Sequence, residues 1–418
     1  MRRFDQDDIQ VSTKHVGLRI VLFVLALLVA IGAITYGVSE LGKKAPGYYR
    51  IEATADEELL LLDGRVNFQY VFKGSKSEIN AEMRQLQALY SASLRQNSRL
   101  LDAENTYAGV INPAELNANL GREMTVSAEL YEVLTDAWAR TQAGEGYSLF
   151  AGPLCAEWNS LLILADPEPF DPAADPAEAE RLARLAALTG DLANFRFEIV
   201  DAEKHTIRID ASGELLACLR ELELDCPILD LNLLHDAYLL RLIARDLEAQ
   251  GYTNGYLTAA SGVTVSLSGH AGGEMDYCLI GFDGTYQENA ALLPLEAGTA
   301  FSMLRAFAME NEDYGYYTVE TDAGTVYRHP NVPATGETPG VLLSVGVRCA
   351  DMDPVRAVCE SLRLFACADP ESVAACAESF PDAAIWTLQG GGQRVFSNAA
   401  AAPLLKEADY GWELETVS

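Results

Sequence analysis

Residues 229–262 read LDLNLLHDAYLLRLIARDLEAQGYTNGYLTAASG, and this stretch decides the architecture. Asp230 and Leu231 close a strand-like run at 227–231. Apolar residues, Tyr238 among them, then recur at helical spacing over 233–250, and Gly251 stops the helix. Short strands and turns follow from 254 to 345, with a helix expected at 300–309. Toward the N-terminus, YYRIEAT and NFQYVFKG within 48–74 read as strands. A helix at 76–98 carries Ile79, Met83, Leu86 and Leu89 on one stripe. Ser127 is an N-cap for a helix at 128–142, in which Leu130, Val133, Leu134, Ala137 and Trp138 share a face. The acidic, proline-rich loop 163–176 ends in Asp175-Pro176, which caps a helix at 176–189, before strands at 195–200 and 205–210. Toward the C-terminus come Asp-Pro-capped helices at 354–365 and 370–379 and strands at 384–388 and 393–396. Strands and helices mix without a regular βαβ alternation or an internal repeat, which predicts an α+β fold in one large domain.

Ahead of that domain, Ile20 to Val38 runs IVLFVLALLVAIGAITYGV without a charge. As a helix it covers roughly 28 Å, close to the hydrocarbon thickness of a bilayer. The expectation is a transmembrane helix at 16–39, a cytoplasmic tail at 1–15 and a soluble domain at 45–418. No cysteine follows the span closely and the A-x-A-like exit is missing, so the span is expected to be retained. Arg2, Arg3, Lys14 and Arg19 precede it and Lys43, Lys44 and Arg50 follow, so the positive-inside count is nearly balanced. The short tail favours N-in, with the domain extracytoplasmic at the cell membrane.

The 418 residues carry 61 acidic against 30 basic side chains, a formal charge of −31. Dispersed acidity of this size argues against nucleic acid and against anionic lipid surfaces as partners. The eight cysteines form no C-x-x-C pair, and no histidine stands at metal-ligand spacing. Most of the cysteines sit in apolar runs and read as small buried hydrophobes. No zinc site, Gly-rich phosphate loop or Ser-His-Asp pattern is legible.

Four stretches, in order and over nearly the whole soluble part, resemble the ApbE-type flavin transferases, FAD:protein FMN transferases that attach FMN through its phosphate to a Thr or Ser hydroxyl of a target protein. Residues 125–158, TVSAELYEVLTDAWARTQAGEGYSLFAGPLCAEW, match a helix followed by G-x-F-D-x-x-x-G-P-L-x-x-x-W. Tyr147, Gly152, Pro153, Leu154 and Trp158 stand at the corresponding places, and Ser148 replaces the Asp. The 229–262 stretch is similar to D-L-G-G-I-A-K-G-Y-A-V-D through Asp230, Leu231, Tyr238, Gly251 and Gly262. It departs at Asn232 and Leu233 for the two glycines, Asp236 for the Lys, Ala237 for the next Gly and Arg241 for the closing Asp. Residues 327–339, YRHPNVPATGETP, resemble H-x-x-D-P-x-T-G-x-P through His329, Pro333, Thr335, Gly336 and Pro339, with Val332 for the Asp. More weakly, A-D-A-L-x-T-A falls on Ala350-Asp351-Met352-Asp353-Pro354-Val355-Arg356-Ala357.

The resemblance implies FAD as substrate, Mg²⁺ as a metal, and a flavin-accepting extracytoplasmic redox protein as partner. It implies metal ligation by the backbone carbonyl of His235 and by Asp351 or Asp353, the family's Thr being Val355 or Ala357 here. Asp353 is also the expected catalytic residue. His329, Thr335, Gly336 and Tyr238 are the expected flavin-binding residues. Each has a plainer explanation beside it. Asp353 repeats the Asp-Pro helix-cap pattern of Asp175 and Asp369. His329, Thr335 and Gly336 can simply form a turn, and Tyr238 lies at a core position of its helix. Asp236 sets a negative charge where a polyanion would bind. Two functions therefore follow as expectations: transfer of FMN from FAD, or a catalytically impaired module of the same fold that binds flavin or a protein partner at the membrane surface.

Overall fold

The computed structural model describes residues 21–31, 45–54, 57–144, 147–164, 175–270, 275–282, 286–307, 317–321, 324–328, 341–407 and 411–417. The chain divides into two units, residues 1–47 with 72–84, and residues 48–71 with 85–418. In the first, helix α1 (21–31) exposes Val21, Leu22, Phe23, Leu25 and Leu28. No helix among the described residues is long and apolar enough to cross a membrane. The span expected at 16–39 falls partly outside the described residues, which hold 21–31 of it. The same unit contains a helix start at which the Ser75 N–H and hydroxyl both donate to the Glu78 carboxylate, at 2.8 and 2.6 Å.

The second unit opens with β1 (Gly47–Ile51), α2 (Glu57–Asp63), β2 (Val66–Phe72) and the later turns of α3 (Lys76–Leu101). There follow α4 (Pro113–Ala118), β3 (Glu123–Thr125), α5 (Ala128–Ala143), α6 (Gly152–Leu164) and α7 (Pro176–Gly190). Strands β4 (Phe195–Asp201) and β5 (Thr206–Ala211) precede α8 (Gly213–Glu221), a 3-10 turn at Asn232–Leu234 and α9 (His235–Ala249). Then come β6 (Gly255–Ala259), β7 (Thr264–Ser266), β8 (Asp276–Phe282), β9 (Gln287–Pro294), β10 (Ala300–Arg305), β11 (Tyr317–Thr321) and β12 (Gly324–Arg328). The chain closes with β13 (Leu342–Cys349), α10 (Pro354–Phe365), α11 (Pro370–Glu378), β14 (Ala383–Leu388), β15 (Arg394–Ser397), β16 (Lys406–Glu407) and β17 (Glu413–Thr416).

Nine strands form one sheet in the order β1-β2-β6-β7-β10-β13-β14-β15-β17. Its ladders from β2 to β15 are antiparallel, and the outer β15–β17 pair is parallel. The α+β expectation therefore holds. Helices α10 and α11 cover one face, where Val345, Val347 and Cys349 meet Ala357, Leu364, Val373 and Ala377. A three-stranded sheet, β16-β9-β8, covers the other, where Phe301 and Ile385 meet Tyr277, Leu279 and Leu293. All eight residues of β13 are buried, as a strand between two layers requires, and Ser344 and Arg348 are buried with its apolar residues.

The caps expected from sequence are in place. Ser127 accepts from the Leu130 N–H, Asp175 from Ala177 and Glu178, Asp353 from Val355 and Arg356, and Asp369 from Ser372. Helix α9 stops where Gly251 takes φ +83°. Two expectations fail. Residues 300–309 were expected as a helix, but 300–305 form β10, because Ala300 serves the helix-covered core and Phe301 and Met303 the opposite one. That alternation has period two, and β10 pairs with neighbours on both sides. Residues 227–231 form no strand either. The helix at Glu57–Asp63 lies between the two runs read as strands.

Candidate functional site

The 227–235 segment is positioned by groups distant in sequence. Asn117 accepts from the Ile228 and Leu229 N–H groups at 3.2 and 2.9 Å and donates to the Leu229 carbonyl at 2.9 Å. The Asp230 N–H donates to the Leu149 carbonyl at 3.0 Å. These peptide groups are thus satisfied by one side chain and one loop carbonyl, which is why an apolar run that reads as a strand joins no ladder. Gly152 closes the same contact: a Cβ there would lie 2.2 Å from the Pro227 carbonyl oxygen.

From Asp230 the chain bends. Its carboxylate accepts the Asn232 N–H at 2.9 Å, and Asn232 takes φ +46° before the 3-10 turn leads into α9. Asn232 stands where the resemblance expects glycine, and asparagine is among the few other residues that enter the left-handed region readily. Asn232→Gly should leave unfolding stability within about 0.5 kcal/mol of wild type, whereas Asn232→Val should lose roughly 1–3 kcal/mol. Urea denaturation of the two variants checks this, and equal stabilities would remove the conformational explanation.

Beside this turn lies a cavity of about 540 Å³, lined by Glu58, Leu61, Leu62, Arg65, Ser98, Arg99, Leu101, residues 102–105, Tyr107, Asp230, Asn232, Leu233, His235, Asp236 and Ser261. Its volume is that of a small-molecule site. Five carboxylates (Glu58, Asp102, Glu104, Asp230, Asp236) face two guanidiniums, Arg65 and Arg99. Arg99 forms a two-pronged pair with Glu58 at 2.7 and 2.7 Å. Tyr107 donates to Asp102 at 2.7 Å. Burial raises the pKa of Asp230, against the Asn232 N–H and the nearby His235. Burial also opposes ionisation of Asp236, yet its pKa is lowered by the His235 hydrogen bond and charge, the Ser261 hydroxyl and the Arg65 charge. Asp236, standing in for the family's lysine, is therefore held as an anion, with His235 Nδ1 3.1 Å from its Oδ1.

Tyr238, Asp351 and Asp353 do not line this cavity and have polar partners of their own. Tyr238 is fully buried, and its hydroxyl donates to Asp136 at 3.0 Å while the Arg241 guanidinium stacks 4.8 Å from its ring centre. Arg140 donates to Asp136 at 3.2 Å and lies 3.8 Å from Asp353. Asp353 Oδ1 receives the Val355 and Arg356 N–H groups at 3.1 and 3.2 Å, so Asp353 caps α10. Arg356 then holds Asp351 and Asp382, each at 2.8 Å. Among the described residues, Asp351 and Asp353 do not line the cavity that His235 lines. A cap on two N–H groups and a carboxylate on a guanidinium are poor starting points for a hard cation that needs several free oxygens. The donors the resemblance supplies do not fit Mg²⁺ in this arrangement. His329, Thr335 and Gly336 lie outside the described residues.

The sequence contains no spacing signal for Asn117 or Arg65, because each acts across 100 or more residues. Asn112 shows what such residues look like locally: it caps α4 and donates to the Arg99 and Asn105 carbonyls at 3.0 and 2.8 Å. An asparagine before a proline-initiated helix signals the cap and conceals the rest.

Among solved structures, the flavinyl transferase ApbE of Pseudomonas stutzeri in its apo form is 16% identical, with 87% of this chain and 98% of that one covered at a TM-score of 0.54. The ApbE protein of Thermotoga maritima is 16% identical over 87% and 97%, at 0.55. The flavin transferase ApbE of Vibrio cholerae is 14% identical over 86% and 100%, at 0.53. No family model matches the chain, and no curated protein does. The fold is thus similar to that of flavin transferases along nearly their full length.

Proposed function

We propose that this chain is an extracytoplasmic FAD:protein FMN transferase-like protein, held at the cell membrane through residues 16–39, that moves FMN from FAD to a Thr or Ser hydroxyl of a partner redox protein. One observation carries the reading: a fold shared with three flavin transferases, in which the 229–238 segment borders a nucleotide-sized cavity. The apolar, outward-facing surface of α1 supports the anchor.

In the transfer, the acceptor oxygen bonds to the FMN phosphorus while the bond from that phosphorus to the AMP oxygen breaks. Positioning and charge neutralisation carry most of such a reaction. Arg65 and Arg99 are the guanidiniums that line the cavity, and Arg99 would have to exchange its Glu58 pair for a phosphate oxygen. Asp230, whose carboxylate burial makes more basic, is our assignment for the group that receives the hydroxyl proton.

A second reading, an impaired module that binds FAD without transferring it, is favoured by specific observations. Asp351 and Asp353 are committed to Arg356 and to the α10 cap, and the cavity carries more carboxylates than guanidiniums. Full-length protein in detergent, incubated with FAD, Mg²⁺ and a flavin-accepting domain, separates the two. A gain of one FMN in the acceptor's intact mass supports transfer, and FAD binding without that gain supports the module. No measurable FAD binding overturns both. Asp236→Lys replaces a like charge beside the pyrophosphate with an opposite one and should tighten FAD binding by about tenfold, a modest figure for one charge-assisted contact. Calorimetry measures it, and weaker binding in this variant would place the FAD phosphates away from α9.

A further inference from the structure

We propose that Cys349, Glu360 and Asp382 form a site for a thiophilic divalent cation of the zinc class, separate from the FAD cavity. Cys349 ends β13 and Asp382 immediately precedes β14. Those strands pair with Arg348 opposite Ala383, so the same register sets Cys349 and Asp382 side by side at the ladder's end. Helix α10 packs against β13 and brings Glu360 to the same place. One ligand atom from each of the three lies within 4.8 Å of the others, and all three residues are buried. Tetrahedral zinc with bonds of 2.0–2.3 Å sets its ligand atoms about 3.5 Å apart, a contraction that side-chain rotation supplies.

The trio is more than a group of acids. Glu360 is only 8% exposed, its Oε2 has no hydrogen-bond partner, and its carboxylate is the group that lies within 4.8 Å of the Cys349 and Asp382 ligand atoms. A buried carboxylate oxygen left in this state is unusual and asks for a cation or a proton. Asp382 is already oriented, with the Ala350 N–H on Oδ1 at 2.9 Å and Arg356 on Oδ2 at 2.8 Å. Such supporting contacts typically hold a metal's ligands in place. A thiolate and two carboxylates carry three negative charges, of which a dication offsets two while Arg356, shared with Asp351, offsets part of the third. The thiolate selects zinc or cobalt over magnesium, which prefers all-oxygen ligands. Three protein ligands leave the fourth position to water.

Full-length protein in detergent, freed of metal by a chelator and dialysed, is titrated with Zn²⁺, Co²⁺ and Mg²⁺. One equivalent of Co²⁺ is expected to bind with a thiolate-to-cobalt charge-transfer band in the near ultraviolet, Zn²⁺ is expected to displace it, and Mg²⁺ is not. Cys349→Ser should abolish the band, and Glu360→Gln should weaken Zn²⁺ binding by about a hundredfold or more, beyond the usual loss for a supporting residue. Cys367 and Cys376 lie close enough to couple electrostatically, so the Cys367→Ser/Cys376→Ser double variant is the control and should keep the band. Far-ultraviolet circular dichroism before metal addition shows that each variant is folded. A band that survives Cys349→Ser, or is lost in the double variant, overturns the site. So does the absence of any band, which would leave a proton as the group that Glu360 holds.

Discussion

Gly152→Ala is expected to destabilise the protein by more than about 3 kcal/mol, the upper range for forcing one extra carbon into a packed site. The added Cβ would lie 2.2 Å from the Pro227 carbonyl oxygen and 3.2 Å from that of Ile228, both backbone atoms that cannot rotate away. Relief requires residues 149–152 and 227–230 to separate, breaking the Asp230 N–H bond to Leu149 and removing Asp230 from the cavity wall. Stability and FAD binding should therefore fall together. Gly213→Ala, in the first turn of α8, is the matched control, because its added Cβ meets nothing within 4 Å. That change should stabilise the fold by about 0.4–1 kcal/mol. Thermal and urea denaturation of the pair decide the matter, and equal effects would refute the contact at Gly152.

The second large effect concerns pH in metal-free protein. Burial, with the Asp382 charge adding and Arg356 and Arg363 opposing, pushes the Glu360 carboxyl from its ordinary value of 4.5 up to about 7. A carboxyl raised on folding contributes stability in full below its unfolded pKa and loses that contribution as pH rises through the folded one. Between pH 4.5 and 8 the loss should total about 3 kcal/mol. Glu360→Gln removes the titrating group, so the variant should match wild type near pH 4.5 and exceed it near pH 8 when a chelator is present. Urea midpoints across that range measure the difference, and parallel pH profiles for the two proteins would contradict a buried, costly carboxylate. With Zn²⁺ added, the order at pH 8 should reverse.

Where structure follows from local chemistry, the sequence was readable. Ser127, Asp175, Asp353 and Asp369 announce helix starts because a cap needs only a short polar side chain and the next few N–H groups. The stripe in α5 and the length of α9 follow from periodicity, and the order of degenerate motifs pointed to a fold that the solved structures share. The misreadings are tertiary. Residues 227–231 have the composition of a strand, but Asn117, more than 100 residues earlier, takes their peptide groups. Residues 300–305 sit between two cores and adopt the period of both. Zinc ligation was not legible, since Cys349, Glu360 and Asp382 come from a strand end, a helix face and a turn and converge only through the β13–β14 register. Asp353 carried two meanings in sequence, cap and ligand, and the observed hydrogen bonds supply the first.

The outer strand of the large sheet has a consequence for crowding. A sheet edge is a template on which a second molecule can add a strand. On β17, Glu413 points to solvent and Glu415 turns toward Arg394 of its own sheet. Two copies aligned along this edge would set identical glutamates near one another, and like charges across a strand pair are unfavourable. Acidity at the rim thus acts as a deterrent to fibre-like association, and neutralising Glu413 and Glu415 with glutamine would lower the concentration at which the protein begins to self-associate.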